Sequence, residues 1–451
     1  MARWIHGIVP ILLAVTIATA VSHPDPAVQK KLDRFQDQKF GLFLHWGAYS
    51  QMGCIESWPL VWADRKWSNP SIGTREEMAA FREKYFALPK TFNPAAFDPA
   101  AWASLAKKAG MRYVVFTTKH HDGFAMFDTR QSDYRITAPD VPFSKNPRAN
   151  IAREVFDAFR GQGFGIGVYF SKSDWRTPYY WKPGVFAEDR NPNYDVAAEP
   201  ERWAKFVEFV HGQIGELVRG YGKVDILWLD GGQVRPPKQD IQMDRLVRMA
   251  RDRQPGLIVV NRASKGLYED YRTPEQEVPE KPIFDYVWES CLTMGTQWSF
   301  KPNDTYKSSR DLIQLLARIV SRGGNLLLNI GPQPDGRLPA GAVHRLEEIG
   351  RWMQVNGEAI HGTRPVSPYF VGQTVFTAKG KDIYAIYLPN AAETRLPASI
   401  PLGDLATAGS ARLLGSNEET EVRDHAIRVA AQLADRSSGQ PAWVFRLDRR
   451  Q

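Results

Sequence analysis

Val224–Gly232 reads VDILWLDGG, an apolar run closed by an acid and two glycines. Its apolar run is short, rich in large side chains and without helical period, so it predicts a strand buried on both faces. Asp230 closes the run. Gly231 and Gly232 then let the backbone turn away and leave the carboxylate facing whatever lies beyond the strand. Similar runs precede it: FGLFLHWG from Phe40, YVVFTTKHH from Tyr113 and FGIGVYFS from Phe164. Others follow: LIVVNR from Leu257, FDYVWES from Phe284 and NLLLNIGP from Asn325. Segments of helical periodicity lie between them, at Pro99 to Gly110, Ile151 to Gly161, Glu201 to Gly220, Ile241 to Gln254, Ser308 to Ser321 and Ala340 to Asn356.

Alternation of this kind implies parallel strands joined by helices. Polar and aromatic residues collect where the strands end, which favours an α/β fold of the (β/α)₈-type barrel class over an open sheet. A barrel places its chemistry at the carboxyl ends of the strands. No GxGxxG follows the first strand and no phosphate loop occurs, so a nucleotide-binding reading is weakened. Beyond about Pro365 short alternating stretches such as VFTAKGKDIYAIYLP and PAWVFRLD take over. They predict a small antiparallel β-sandwich over residues 366–451, behind a catalytic barrel over residues 21–365.

At the start, Arg3, an apolar run from Ile8 to Ile17 and Ala18-Thr19-Ala20 have the order of a secretory signal peptide over residues 1–20. Expected localisation is therefore secreted or periplasmic, with an uncleaved membrane anchor as the other reading of the same run. No further stretch reaches the roughly 20 apolar residues needed to span a bilayer, so stable membrane insertion of the mature chain is not expected. The net charge of +8 is spread among 58 Lys and Arg and 50 Asp and Glu without a basic block. Nucleic acid is accordingly not expected as a partner. The oligomeric state is open. Export would permit a disulfide between Cys54 and Cys291, although two buried free thiols is the preferred reading.

Two carboxyl groups at strand ends are what cleavage of a glycosidic bond requires, one beside the anomeric carbon and one to protonate the departing oxygen. Asp230 is the first candidate. Glu289, read as the end of FDYVWE, is the second. His45 in LHWG and His120 and His121 in KHHDGF stand at two further strand ends, where neutral imidazoles could bond hydroxyl groups. Trp46, Trp58, Trp62, Tyr169, Trp228, Trp288 and Trp298 fall in the same zone and could stack on a sugar face. A metal hydrolase is the rival, since His45, His120, His121 and Asp122 are ligand types. Adjacent residues of a strand face opposite ways, which argues against His120 and His121 sharing one metal unless the strand ends between them. No metal and no cofactor are expected.

The segments KFGLFLHWG, ESWPL, YVVFTTKHHDGFAMFDT, GVYFS, DILWLDGG, VWESCLTMGTQWSF and SRGGNLLLNIGPQPDGRLP resemble the family 29 glycoside hydrolases, the α-L-fucosidases. The resemblance runs from about Phe35 to Pro365. It implies a retaining, exo-acting enzyme that removes terminal α-L-fucose from oligosaccharides or glycoconjugates. Asp230 would be the nucleophile and Glu289 the acid/base, preferred to Glu275 or Glu277 in RTPEQEVPE. His45, His120, His121, Tyr169 and Arg262 would hold the fucose hydroxyls, with Glu56, Trp58 and Trp298 as further contacts, and Trp228, from its place beside Asp230, is counted with the substrate-binding residues. Asp230 and Glu289 would then stand about 5 to 5.5 Å apart. A catalytically silent fucose-binding protein would keep the same histidines and aromatics, and a chromogenic assay separates the two.

Overall fold

The computed structural model describes residues 22–449, apart from 265, 406, 407 and 417. Residues 1–20, read as a signal peptide, lie outside the described residues. The chain divides into two compact units, the first ending at Thr363 and the second starting at Arg364.

Seven parallel strands make the sheet of the first unit: β1 (Phe40–Leu44), β2 (Tyr113–Lys119), β3 (Gly165–Ser171), β4 (Ile226–Asp230), β5 (Ile258–Asn261), β6 (Glu289–Thr293) and β7 (Asn325–Ile330). Their order is β5-β4-β3-β2-β1-β7-β6. Nearly every strand residue is buried, as helices on one side and barrel interior on the other require. Helices at Pro99–Lys108, Ile151–Gly161, Pro200–Gly220, Met243–Arg253, Ser309–Ser321 and Ala340–Asn356 fall where periodicity placed them. Local chemistry starts several of them. The Asn150 side chain accepts from Arg153 N, and Ser308 and Asp311 form a capping box.

Between β5 and β6 there is no ladder, and an irregular segment fills the gap. On one side Asp270 N donates to Val259 O at 2.9 Å. On the other, Arg272 N donates to Val287 O, Glu289 N to Arg272 O and Cys291 N to Pro274 O, at 3.0, 2.9 and 3.1 Å. Residues 272–275 thus run parallel to residues 288–291 and serve as the eighth stave. Pro274 accepts through its carbonyl and has no N–H to donate, which is one reason no regular strand forms here.

The stave corrects one expectation. Glu289 does not end a strand formed by FDYVWE; residues 282–287 are irregular, and β6 begins at Glu289, which pairs with Asn325 at the start of β7. Glu289 therefore sits at the amino end of the barrel, away from the face where β4 delivers Asp230. That end is closed by the helix Pro26–Gln38, whose Phe35 stacks on Tyr271 at 4.6 Å and meets the edge of Tyr113 at 5.2 Å. Gly41 makes this arrangement possible, because a Cβ there would lie 2.3 Å from the Tyr113 ring.

In the second unit eight antiparallel strands, from Arg364–Val371 to Trp443–Arg449, form one sheet. Val366, Phe376, Ile400, Val422, Ile427 and Phe445 come from strands spread across that sheet yet share one core. A flat sheet could not bring them together, so the sheet curls on itself. The expected two-layered packing is reached by one nearly closed sheet instead of two separate ones. Among the described residues no helix is long and apolar enough to cross a membrane.

Candidate active site

Asp230 is the last residue of β4, and the chain leaves it through Gly231 at φ +82°. L side chains rarely adopt that conformation, so glycine is what lets the backbone turn here while the carboxylate stays on the cavity side. Tyr169 donates its hydroxyl to Asp230 Oδ2 at 2.8 Å, and Arg262 Nη1 donates to Oδ1 at 3.3 Å. Burial alone would disfavour the ionised form; the Arg262 charge and the Tyr169 hydroxyl outweigh it and hold Asp230 well below the usual carboxylate range. Asp230 is an anion at neutral pH.

Around it lies a cavity of about 480 Å³ at the carboxyl ends of the strands. Phe43, Tyr169 and Trp228 form its floor, and Trp228 packs face to face on Tyr169 at 5.3 Å. His45, His120, His121, Trp58, Arg262 and Trp298, all expected from sequence, line the same cavity.

The imidazoles are neutral, and their surroundings decide where the proton sits. Burial brings His45 down to about 3 and His121 to about 4, and it takes His120 well below its ordinary value. His45 Nδ1 lies 2.7 Å from Asn329 Oδ1, while the Asn329 amide donates to Trp298 O at 2.6 Å. That donation orients the amide, so His45 Nδ1 carries the hydrogen and Nε2 is the acceptor. His121 repeats the device: Ser171 Oγ donates to Ser173 O at 2.7 Å and so accepts from His121 Nδ1 at 2.6 Å. His120 Nδ1 bonds Ser57. Nε2 of His45 and of His121 is thus left as a neutral acceptor on the cavity side, that of His121 3.8 Å from Asp230 Oδ2.

Strand alternation does not separate His120 from His121, contrary to expectation. β2 ends at Lys119, ahead of both, and the two rings stand 4.3 Å apart facing the same cavity. Ligand atoms of His120, His121 and Asp230 lie within 4.8 Å of one another. Asp122 is not in this group; it accepts from the Tyr85 hydroxyl at 3.3 Å.

Glu289 is the main departure. It is fully buried beneath the cavity floor, where Tyr113 donates to it at 2.6 Å, Tyr271 at 3.1 Å and Trp228 Nε1 at 3.3 Å. Burial pushes it up to about 7 in spite of these donors. It does not line the cavity. The carboxylate that does is Glu275, on the irregular eighth stave, and Arg262 Nη2 donates to it while Nη1 holds Asp230. One guanidinium thus spans the two carboxylates. Glu277 is exposed and not on the cavity wall.

Glu56 departs too. It is buried under the loop that carries Ile55 and Trp58, accepts from Ser299 N, and is pushed up to about 8 by burial. Its neighbour Ser57 reaches the site through His120. Trp62 packs on Arg65 at 3.5 Å away from the cavity, and Trp46 and Trp288 are core residues. Cys54 and Cys291 are free thiols, Cys291 in the cavity wall. Sequence reasoning missed Trp67, Arg190 and Gln233 on the rim, which loops bring in without any local pattern.

An ionised carboxylate, a second one across a shared guanidinium, neutral imidazoles and indole rings in one barrel-end cavity define a glycoside hydrolase. Comparison with known proteins agrees. The α-L-fucosidase family profile matches residues 18–358, and the chain belongs to that family. An α-L-fucosidase of Branchiostoma floridae is 28% identical across 97% of this chain and 99% of its own length. The human tissue α-L-fucosidase is 28% identical across 78% of this chain and 75% of its own. Among solved structures, α-L-fucosidase isoenzyme 1 from Paenibacillus thiaminolyticus superposes with a TM-score of 0.77 at 29% identity, covering 94% of this chain and all of that one. The Thermotoga maritima α-fucosidase in complex with fucose gives 0.72 at 26% identity, covering 92% and 96%.

Proposed function

We propose that the protein is an exported, exo-acting α-L-fucosidase that works with retention, using Asp230 as nucleophile and Glu275, not Glu289, as acid/base. The observation that carries this reading is Arg262, whose two terminal nitrogens hold the two carboxylates on one cavity wall. Retaining enzymes keep their carboxyls about 5 to 5.5 Å apart, with no room for a water between them. A guanidinium touching both keeps them within a side chain's width.

In the first step Asp230 attacks the anomeric carbon of the bound fucose. The glycosidic C–O bond breaks, and Glu275 delivers its proton to the departing oxygen. In the second step Glu275 takes a proton from water, which displaces Asp230 from the sugar. Glu275 has to part from Arg262 before it can hold that proton, so arrival of the substrate must separate them, leaving Arg262 on Asp230. Exo action is supported by the rings of Phe43, Tyr169 and Trp228, which line the cavity beside Asp230 and would stop a chain from passing through. The 6-deoxy carbon of fucose suits the apolar rings of Phe43 and Trp298, and its hydroxyls suit the Nε2 acceptors. This chemistry draws on no metal. The N-terminal run supports export to periplasm or medium, and the mass of the mature chain, starting at Val21, checks it.

The test is hydrolysis of an aryl α-L-fucoside followed by NMR. The first sugar released is expected to be the α anomer, and Asp230→Asn is expected to lose at least about a thousandfold in kcat while its thermal melt is kept. A β anomer as first product, or near-normal turnover by that variant, overturns the reading.

A further inference from the structure

Trp67 is the most exposed indole among the described residues, at 52%, and its ring lines the mouth of the cavity. It is held in place. Its Nε1 donates to Asp64 Oδ1 at 3.2 Å, and Asp64 is clamped by Arg190, Nε at 2.7 Å and Nη2 at 2.9 Å. The Arg190 guanidinium in turn lies 4.2 Å over the ring of Trp58. Trp58 touches His121, the imidazole beside Asp230, at 5.1 Å, and Trp67 at 5.9 Å. A line of contacts therefore runs outward from the nucleophile through His121 and Trp58 to Trp67.

The position along this line matters. His121 and Trp58 border the space of the first sugar, so Trp67 stands where the next residue of a glycan would pass. An indole whose only polar atom is already bonded, and whose ring stays in water, offers a rigid apolar face at little entropic cost to a ligand. Arg190 carries N–H donors to the same rim, but Asp64 neutralises its charge. The rim is thus suited to an uncharged ring bearing hydroxyls.

We propose that Trp67, fixed by Asp64 and flanked by Trp58 and Arg190, is a second subsite that stacks the neutral pyranose ring to which the fucose is attached. This rests on the reading of Asp230 and Glu275 as the cleaving pair. It makes Trp67 a specificity-determining residue that acts on the leaving group and not on the fucose.

Two substrates separate the subsite from the catalytic pair: α-L-fucosyl fluoride, whose leaving group has no ring, and a neutral fucosylated trisaccharide cleaved by the wild type. With Trp67→Ala, the loss of kcat/KM on the trisaccharide is expected to exceed that on the fluoride by about tenfold, mostly through KM. Trp67→Phe, which keeps a ring, is expected to recover part of it. Equal losses on the two substrates, or none on the trisaccharide, overturn the subsite. Failure of the wild type on fucosyl fluoride instead overturns the cleaving pair and the subsite with it.

Discussion

The two ends of this barrel hold buried or half-buried glutamates in contrasting surroundings. At the carboxyl end Glu275 is about two-fifths exposed, shares Arg262 with Asp230 and faces a cavity open to solvent. At the amino end Glu289 is sealed under Trp228 by Phe35, Tyr113 and Tyr271, with three donors and no cation. Both carry the same functional group. What differs is access: proton transfer to a glycosidic oxygen needs reach into the cavity, and of the two only Glu275 lines it. Glu289 instead anchors the indole that floors the cavity, and so acts on the site as a positioning residue.

Substitution at each end can break this contrast. The largest effect is expected from Glu275→Ala, which should lose about a hundredfold to ten-thousandfold on a natural disaccharide, less on an aryl fucoside with a good leaving group, and regain rate with azide. Leaving-group series for both variants measure it. If Glu289→Ala showed that dependence and Glu275→Ala did not, the assignment would be reversed. For Glu289→Gln, activity is expected to stay within about tenfold of wild type, because the amide oxygen can still accept from Trp228 Nε1.

Glu289 also has a readout in stability. Glu289 holds its proton up to about 7 in the folded protein, above its ordinary value, so the folded state binds more protons than the unfolded chain across that window. Stability from this group is present at acid pH and is lost as pH rises toward and through 7. The neutral amide of Glu289→Gln removes that dependence. Thermal melts should show the variant gaining on wild type between pH 5 and pH 8, by up to roughly 3 kcal/mol. A difference that stays flat with pH would mean that Glu289 does not change protonation on folding.

Most of the barrel was legible in the chain. Runs such as YVVFTTK and NLLLNI are buried on both faces, and no other element takes that pattern at that length. Asp230 was legible for the same reason, since a strand followed by two glycines announces its own end. Glu289 and Glu275 were not. FDYVWES and RTPEQE lie within 19 residues of each other, and hydrophobicity alone cannot say which of them is the stave and where the next strand starts. Glu56 failed similarly, because a loop position with φ +43° aims its side chain by tertiary packing and not by the pattern around it.

Periodicity and strand ends were enough to place the strands, the helices between them, and Asp230 and the three histidines at the carboxyl ends of the strands. Tertiary structure was needed to show which glutamate lines the cavity beside Asp230 and which exposed tryptophan borders it. Those assignments depend on parallel register across a gap and on loops meeting from distant parts of the chain. A one-dimensional pattern carries neither.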